Sequence, residues 1–316
     1  MTEFLPEGSR IDTPANKRAI QSAVALQEAY RNKAILEARA TVCSAEHDLL
    51  FDLGGIRGVI PREEGAIGIA SGETRDIAII SRVNKPVCFR IIGFSHDDKG
   101  QPLAICSRKA VQEECEQSYL GTLRPGDVIP ARVTHLESFG CFADVGCGIS
   151  SLLPIDNISV SRIRHPSDRF QSGETIRVVV AGRDALGRIA LSHKELLGTW
   201  EENAAQFEPG ETVAGIIRSV EDYGVFVELT PNLAGLAEPS PLLRPGQQAS
   251  VYIKSLIPEK MKIKLIIVDA FDGESSPSPL RYYFDGEHMD FWQYSPDCCR
   301  KKIDYCFDAK VRQSRF

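Results

Sequence analysis

The segment from Ala131 to Gly146, ARVTHLESFGCFADVG, recurs downstream from Ala214 to Thr230 as AGIIRSVEDYGVFVELT. Phe139, Gly140 and Phe142 of the first copy stand where Tyr223, Gly224 and Phe226 stand in the second. A repeat of this kind constrains the fold more than any single motif, because both copies must build the same supersecondary unit. The surroundings repeat too. Each copy follows a Pro-Gly-acid start, Pro125-Gly126-Asp127 and Pro209-Gly210-Glu211. Each is followed by a turn and a short apolar segment, Ile149 to Ile155 and Leu233 to Ala237. Each closes with two strand-like runs, Glu174 to Gly182 with Arg188 to Lys194, and Gln248 to Leu256 with Met261 to Val268. A looser third copy lies upstream at Val42 to Pro61, with Leu50 outward, Phe51 inward and His47 in the place of Phe139 and Tyr223.

Alternation inside the copies sets their faces. Cys141, Ala143 and Val145 share one side of a period-2 pattern, and Val225, Val227 and Leu229 do the same. Phe142 with Asp144, and Phe226 with Glu228, fall on the other side. A ring that shares a face with a carboxylate is expected where solvent or a ligand reaches it. Five short strands with Gly-rich turns make each unit the size of a small Greek-key barrel.

The order Gly-Asp-Val, Phe-Gly-x-Phe, Gly-x-x-x-Leu-Leu-Pro-Ile and Gly-Arg-Ile-x-Leu-Ser-x-Lys in the middle copy resembles the S1 RNA-binding domain, an OB-fold. Across most of residues 41 to 269 the chain is similar to the bacterial ribosomal protein S1 family, as a short member of it. Many RNA-degrading members of the wider family carry a histidine before the Ile-Ser step; Pro154 stands there instead, and Glu238 in the next copy. The expected fold is mainly β: tandem five-stranded OB-fold barrels joined by helical connectors, with an N-terminal helix and a small C-terminal α/β or hairpin module.

Taken in order, residues 1–37 read as a polar, mobile tail and a helix that starts at the Thr13-Pro14 cap and runs to about Glu37. Ile20, Ala23, Val24, Tyr30 and Ala34 fall near one face of it. Residues 38–109 form a degenerate S1-like domain, and 110–122 a helical connector. Residues 123–194 form the S1 domain that keeps the most features. A second helical connector at 195–207 carries Trp200 and Phe207, expected to pack between barrels. Residues 208–269 form an S1 domain whose middle connection, Pro239 to Pro245, is shortened. In 270–316 the stretch SSPSP is a linker, followed by an aromatic module with strand-like runs at Leu280 to Phe284 and Ile303 to Phe307. Cys298 and Cys299 are adjacent, which does not fit paired C-x-x-C metal knuckles.

Net charge is -6, which argues against indiscriminate nucleic-acid binding. The acid excess lies largely in the connectors, while the two strong copies are near balance. No apolar run approaches the roughly 18 residues of a membrane span, and no secretory leader is visible at MTEFLPEGSR. Scattered cysteines, three of them in strand-like runs, suit a reduced cytoplasmic protein. Neither a two-metal carboxylate cluster nor a P-loop is visible, so no cofactor and no enzymatic activity are expected.

Two readings of function remain. In the first, single-stranded RNA such as mRNA is held across successive barrels. Phe139, Phe142, Tyr223 and Phe226 would stack bases, and Arg132, Arg162, Arg164, Arg188, Lys262 and Lys264 would lie near phosphates. Asp184 and Arg188 bracket the last hairpin, and the resemblance places both on the RNA-facing side; Ile257 and Lys262 take those places in the downstream copy. The resemblance adds the small ribosomal subunit as a partner, with no membrane and no small-molecule substrate. In the second reading, the chain is a ribosome- or RNase-associated assembly protein whose barrels mainly contact proteins.

Overall fold

The computed structural model describes residues 4–97, 99–185, 187–273 and 280–308. The SSPSP stretch read as a linker lies outside them. The chain forms two compact units, one of residues up to 123 together with 144–150, the other of 124–143 together with 151 onward.

In the first unit the described part of the N-terminal segment, from residue 4 onward, is anchored, contrary to the expectation of a mobile tail, while residues 1–3 lie outside the described residues. Phe4 and Glu7 are buried. The Glu7 carboxylate pairs with the Arg108 guanidinium at 2.7 Å and with Arg82 at 3.1 Å, and Glu37 accepts backbone N–H bonds from Gly8, Arg10 and Ile11. The expected single helix to Glu37 is also corrected. Thr13 caps α1 (Pro14–Ala19), Ser22 caps a separate α2 (Ala23–Arg31), and Lys33 then turns left-handed at φ 50°. The side-chain oxygen of Ser22 offers the backbone an alternative to continuing the first helix. That restart resets the phase, so α2 buries Leu26 and Ala29 while Val24 and Tyr30 are exposed.

The first repeat consists of β1 (Leu36–Arg39), β2 (Val42–Cys43), β3 (Leu49–Leu53), β4 (Ile56–Ile60), the short helix α3 (Ile77–Ile80), β5 (Pro86–His96) and β6 (Pro102–Ser107). Its sheet order is β1-β5-β6-β4-β3-β2. β1 and β2 are two halves of one bent strand: β1 pairs with β5 and β2 with β3, with a break at Ala40-Thr41. Leu49, Phe51, Leu53, Ile60, Phe89 and Ala104 fill its core. The connector α4 (Lys109–Ser118) buries Val111, Gln112 and Cys115.

The second repeat closes into a barrel of β7 (Val128–Glu137), β8 (Gly140–Gly146), β9 (Ile149–Pro154), β10 (Thr175–Arg183) and β11 (Ile189–Ser192), in the order β10-β11-β9-β8-β7. Within the second unit a capped helix, α5 (Trp200–Ala204), leads to a further barrel. Its strands are β12 (Thr212–Glu221), β13 (Gly224–Thr230), β14 (Leu233–Ala237), β15 (Gln248–Ile257) and β16 (Lys262–Phe271), in the matching order β12-β13-β14-β16-β15. The first and last strands of each barrel pair antiparallel, which leaves no free sheet edge. Trp200 sits in one apolar cluster with Val179 of one barrel and Ile217, Val225 and Val251 of the next.

The C-terminal module is a two-stranded ribbon of β17 (Phe291–Gln293) and β18 (Asp304–Cys306). The expected strand at Leu280 to Phe284 does not form. Its hydrogen-bonding groups are engaged by other partners: Tyr283 N–H donates to the Leu196 carbonyl, and Arg177 donates through its backbone to the Tyr282 hydroxyl and through Nη1 to the Phe284 carbonyl. Met289, Trp292, Tyr294 and Phe307 join the core cluster of the third barrel. Among the described residues no helix is long and apolar enough to cross a membrane.

Candidate nucleic-acid interface

The turn between β7 and β8 is shaped by close approach of backbone. A Cβ on Gly140 would lie 2.4 Å from the Leu153 carbonyl oxygen, and one on Gly224 would lie 2.7 Å from that of Ala237. Only glycine lets the end of β9 or β14 pass so near. Ile155 N–H then donates to the Phe139 carbonyl at 3.0 Å, fixing the turn against β9. On the other side the Thr134 hydroxyl donates to the Phe142 carbonyl at 3.0 Å.

These constraints produce one ring geometry twice. Phe139 and Phe142 meet edge to face, with centroids 6.1 Å apart at 85°; Tyr223 and Phe226 do so at the same 6.1 Å and 85°. The order of exposure differs from the alternation argument. Phe139 is 54% exposed and Tyr223 69%, whereas Phe142 and Phe226 are half-buried and form the floor. The expectation that carboxylates share an exposed face with the rings is overturned as well. Asp144 is buried and accepts N–H bonds from Glu7, Gly146 and Gly148. Glu228 is buried between Arg169 at 2.5 Å and Arg218 at 2.8 Å.

Register places the rings and cations on one surface. In the third barrel Phe226 pairs with Leu236 and Leu236 with Lys264, so the three side chains line one row across β13, β14 and β16. Lys262, two residues earlier, shares that face, and buried Ile263 and Leu265 alternate with the two exposed lysines. In the second barrel Leu152 pairs with Ala190 in the same way, and Arg188 lies two residues before it. The row therefore ends in Lys264 in the third barrel, in Ala190 in the second, and in Ile105 in the first, where Leu50, Val59 and Ile105 pair in series. Leu152 and Leu236, which floor the row beside the rings, were missed in sequence. Their only signal is the outward parity of two leucines in otherwise buried strands.

The remaining candidates divide. Arg188 and Asp184 form an exposed ion pair at 2.8 Å across the β10–β11 hairpin, so the Arg188 charge is partly matched. Arg162 and Arg164 are exposed on the loop after β9. Their neighbour Arg169 is inside, paired with Glu228. Arg132 is half-buried on β7, opposite Thr175 of β10, with its guanidinium beside Gly173. It lies at the β7–β10 seam, while the rings rise from β8 and from the turn preceding it.

Closed five-stranded barrels in tandem, two of them carrying the same ring pair with one exposed and one half-buried member, give the chain an S1-type OB-fold architecture. Residues 122–194 match the family described as S1 RNA binding domain. The chain is similar to the small ribosomal subunit protein bS1 of Staphylococcus aureus (strain COL), at 29% identity over 84% of this chain and 70% of that protein. The bS1 of Leuconostoc lactis is 31% identical over 69% of this chain and 52% of that protein. Among solved structures, a multidomain protein with nucleic acid binding domains from Streptococcus pneumoniae covers 75% of this chain and 74% of its own, at 14% identity and a TM-score of 0.25.

Proposed function

We propose that this chain is a non-catalytic, cytoplasmic RNA-binding protein of the ribosomal S1 type, which holds single-stranded RNA during translation at the small ribosomal subunit. The observation that carries the reading is the ring pair repeated at one geometry in two barrels, with exposed Lys262 and Lys264 on the last strand of the third barrel and Arg188, paired to Asp184, in the last hairpin of the second. Exposed rings accept bases of any identity, at about 1–3 kcal/mol per stacked base, which offsets the lack of an overall positive charge. Phe139, Phe142, Tyr223 and Phe226 stack; Arg188, Lys262 and Lys264, with Arg162 and Arg164 on the loop, meet phosphates. Two modest sites on one strand reinforce each other through effective concentration. The matched family and the bS1 relatives support the same reading. Fluorescence anisotropy with a labelled single-stranded oligonucleotide at two salt concentrations tests it. Salt-sensitive binding is expected, and affinity unchanged by Phe139→Ala with Phe142→Ala would refute it.

A second role is favoured for the first repeat alone. Its outer row is aliphatic, with Val42 49% exposed beside Leu50, Val59 and Ile105, and among the described residues no ring pair stands at the place that Phe139 and Phe142 take in the second barrel. Such a row suits a protein contact better than a base. A stoichiometric protein partner in a pull-down that is lost on Val42→Glu supports this role.

A further inference from the structure

Beside the ring pair of the second barrel lies a cavity of about 400 Å³, lined among others by Ile155, Val160, Arg162, Lys194, Trp292 and Ile303. Its volume falls within the range of clefts that hold small ligands. Ile155 joins the two places: its N–H bonds the Phe139 carbonyl, and its side of the loop opens into the cavity. The walls come from three parts of the second unit. The loop after β9 supplies Val160 and Arg162, the end of β11 leads to Lys194, and the C-terminal module supplies Trp292 and Ile303.

We infer that this cavity receives one further nucleotide of the bound RNA strand, a role that rests on the RNA-binding reading above. Trp292 and Ile303 offer apolar walls to a base. Among the described residues the indole Nε1–H of Trp292 is buried without an acceptor, an unsatisfied donor behind this wall. Cations stand at the same place. Among the described residues Lys194 Nζ hydrogen-bonds neutral oxygens, the Asp156 carbonyl at 3.1 Å and Asn157 Oδ1 at 2.9 Å, and forms no ion pair, although the Glu195 carboxylate lies within electrostatic reach. Arg162 is exposed, with no carboxylate partner among the described residues. Asp156 is the acid in the lining, and two cations outweigh it. The loop is held before any ligand arrives: Val160 N–H donates to Asn232 Oδ1 at 2.9 Å and Ser161 N–H to the Pro231 carbonyl at 3.1 Å. A site held in place in advance loses little ordering entropy on binding. The aromatic C-terminal module, which lacks the repeat pattern, thereby becomes part of the RNA surface.

The chain has two tryptophans, so the full chain carrying Trp200→Phe reports on Trp292 alone. A single-stranded oligonucleotide of about 12 nucleotides, within the span that one OB-fold covers, is titrated while Trp292 emission and oligonucleotide anisotropy are followed together. Trp292 quenching in step with the anisotropy is expected. Arg162→Glu should weaken binding about tenfold, the scale of one charged hydrogen bond; Arg164→Glu, the same charge change outside the cavity, should weaken it less. Binding by anisotropy with an unmoved Trp292 signal overturns the cavity and leaves the ring pair standing. No binding by anisotropy overturns the RNA reading itself. Should Trp200→Phe fail to fold, equal losses from Arg162→Glu and Arg164→Glu in the otherwise native chain overturn the cavity.

Discussion

Phe226 and Lys264 stand on either side of Leu236 in a single cross-strand row of the third barrel, a floor ring at one end and an ammonium at the other. They are two strands apart, roughly 10 Å by the usual strand spacing. In the second barrel the place of Lys264 is taken by Ala190, opposite Leu152. Ala190→Lys should therefore rebuild the row in the second barrel. Tighter binding of single-stranded RNA is expected, with a salt slope steeper by about 0.7 per added phosphate contact. Anisotropy titrations across a salt series measure both.

The exposed and half-buried rings of each pair should separate in their effects. Phe139→Ala removes an exposed stacking surface and should weaken RNA binding by about 1–3 kcal/mol with little change in stability. Phe142→Ala removes the floor against which Phe139 rests and should weaken binding while also lowering the unfolding midpoint. Oligonucleotide titration together with urea unfolding distinguishes the two.

Glu228 holds two buried guanidinium groups at once, Arg169 from the second repeat and Arg218 from the third. Burial pushes the Arg169 pKa down while Glu228 opposes that shift. Glu228→Gln keeps the shape but leaves buried Arg169 without its ion-pair partner and Arg218 with Asp168 alone, at 3.3 Å. A loss of about 3–5 kcal/mol is expected, read as a lower urea midpoint for the second unit.

His193 gives the second unit a dependence on acid. It is fully buried, with Nδ1 2.9 Å from the Ile158 carbonyl and the ring edge-on to Phe170. Burial pushes its pKa down from 6.5 to about 4. Between those values the unfolded chain takes up a proton that the folded chain refuses. Stability is therefore fully present above 6.5 and is lost as pH falls toward 4, by on the order of 3 kcal/mol for this group. Thermal melts at pH 7 and pH 4.5 should show the drop, and His193→Gln should flatten that part of the profile.

The repeated strands, the glycine turns and the ring pairs could all be read from residues near one another in the chain. Period-2 alternation states which face is apolar, and Gly140 and Gly224 mark where backbone must pass close. Local signals did not reveal that Ser22 restarts the helix, that Leu280 to Phe284 is not a strand, or that Phe139 is more exposed than Phe142. The Leu280 to Phe284 outcome depends on partners brought from elsewhere, Leu196 and Arg177, whereas the Ser22 cap on the Ala25 N–H is local and lies inside a glycine-free run that reads as one helix.

The charged residues show the division most clearly. Sequence by itself determined that Asp144, Glu228 and Arg169 are charged and lie on strands or loops of the repeats; polarity and alternation then argue for solvent. Tertiary structure buried all three, because desolvation is tolerated where a counter-charge or several N–H donors face the group. Glu7 reaches Asp144 across 137 residues and Arg169 reaches Glu228 across 59. The rows of rings and cations belong to the same class. Sequence set which residues point outward, and only strand register decided that Lys264 shares a row with Phe226 while Ala190 takes the corresponding place in the second barrel.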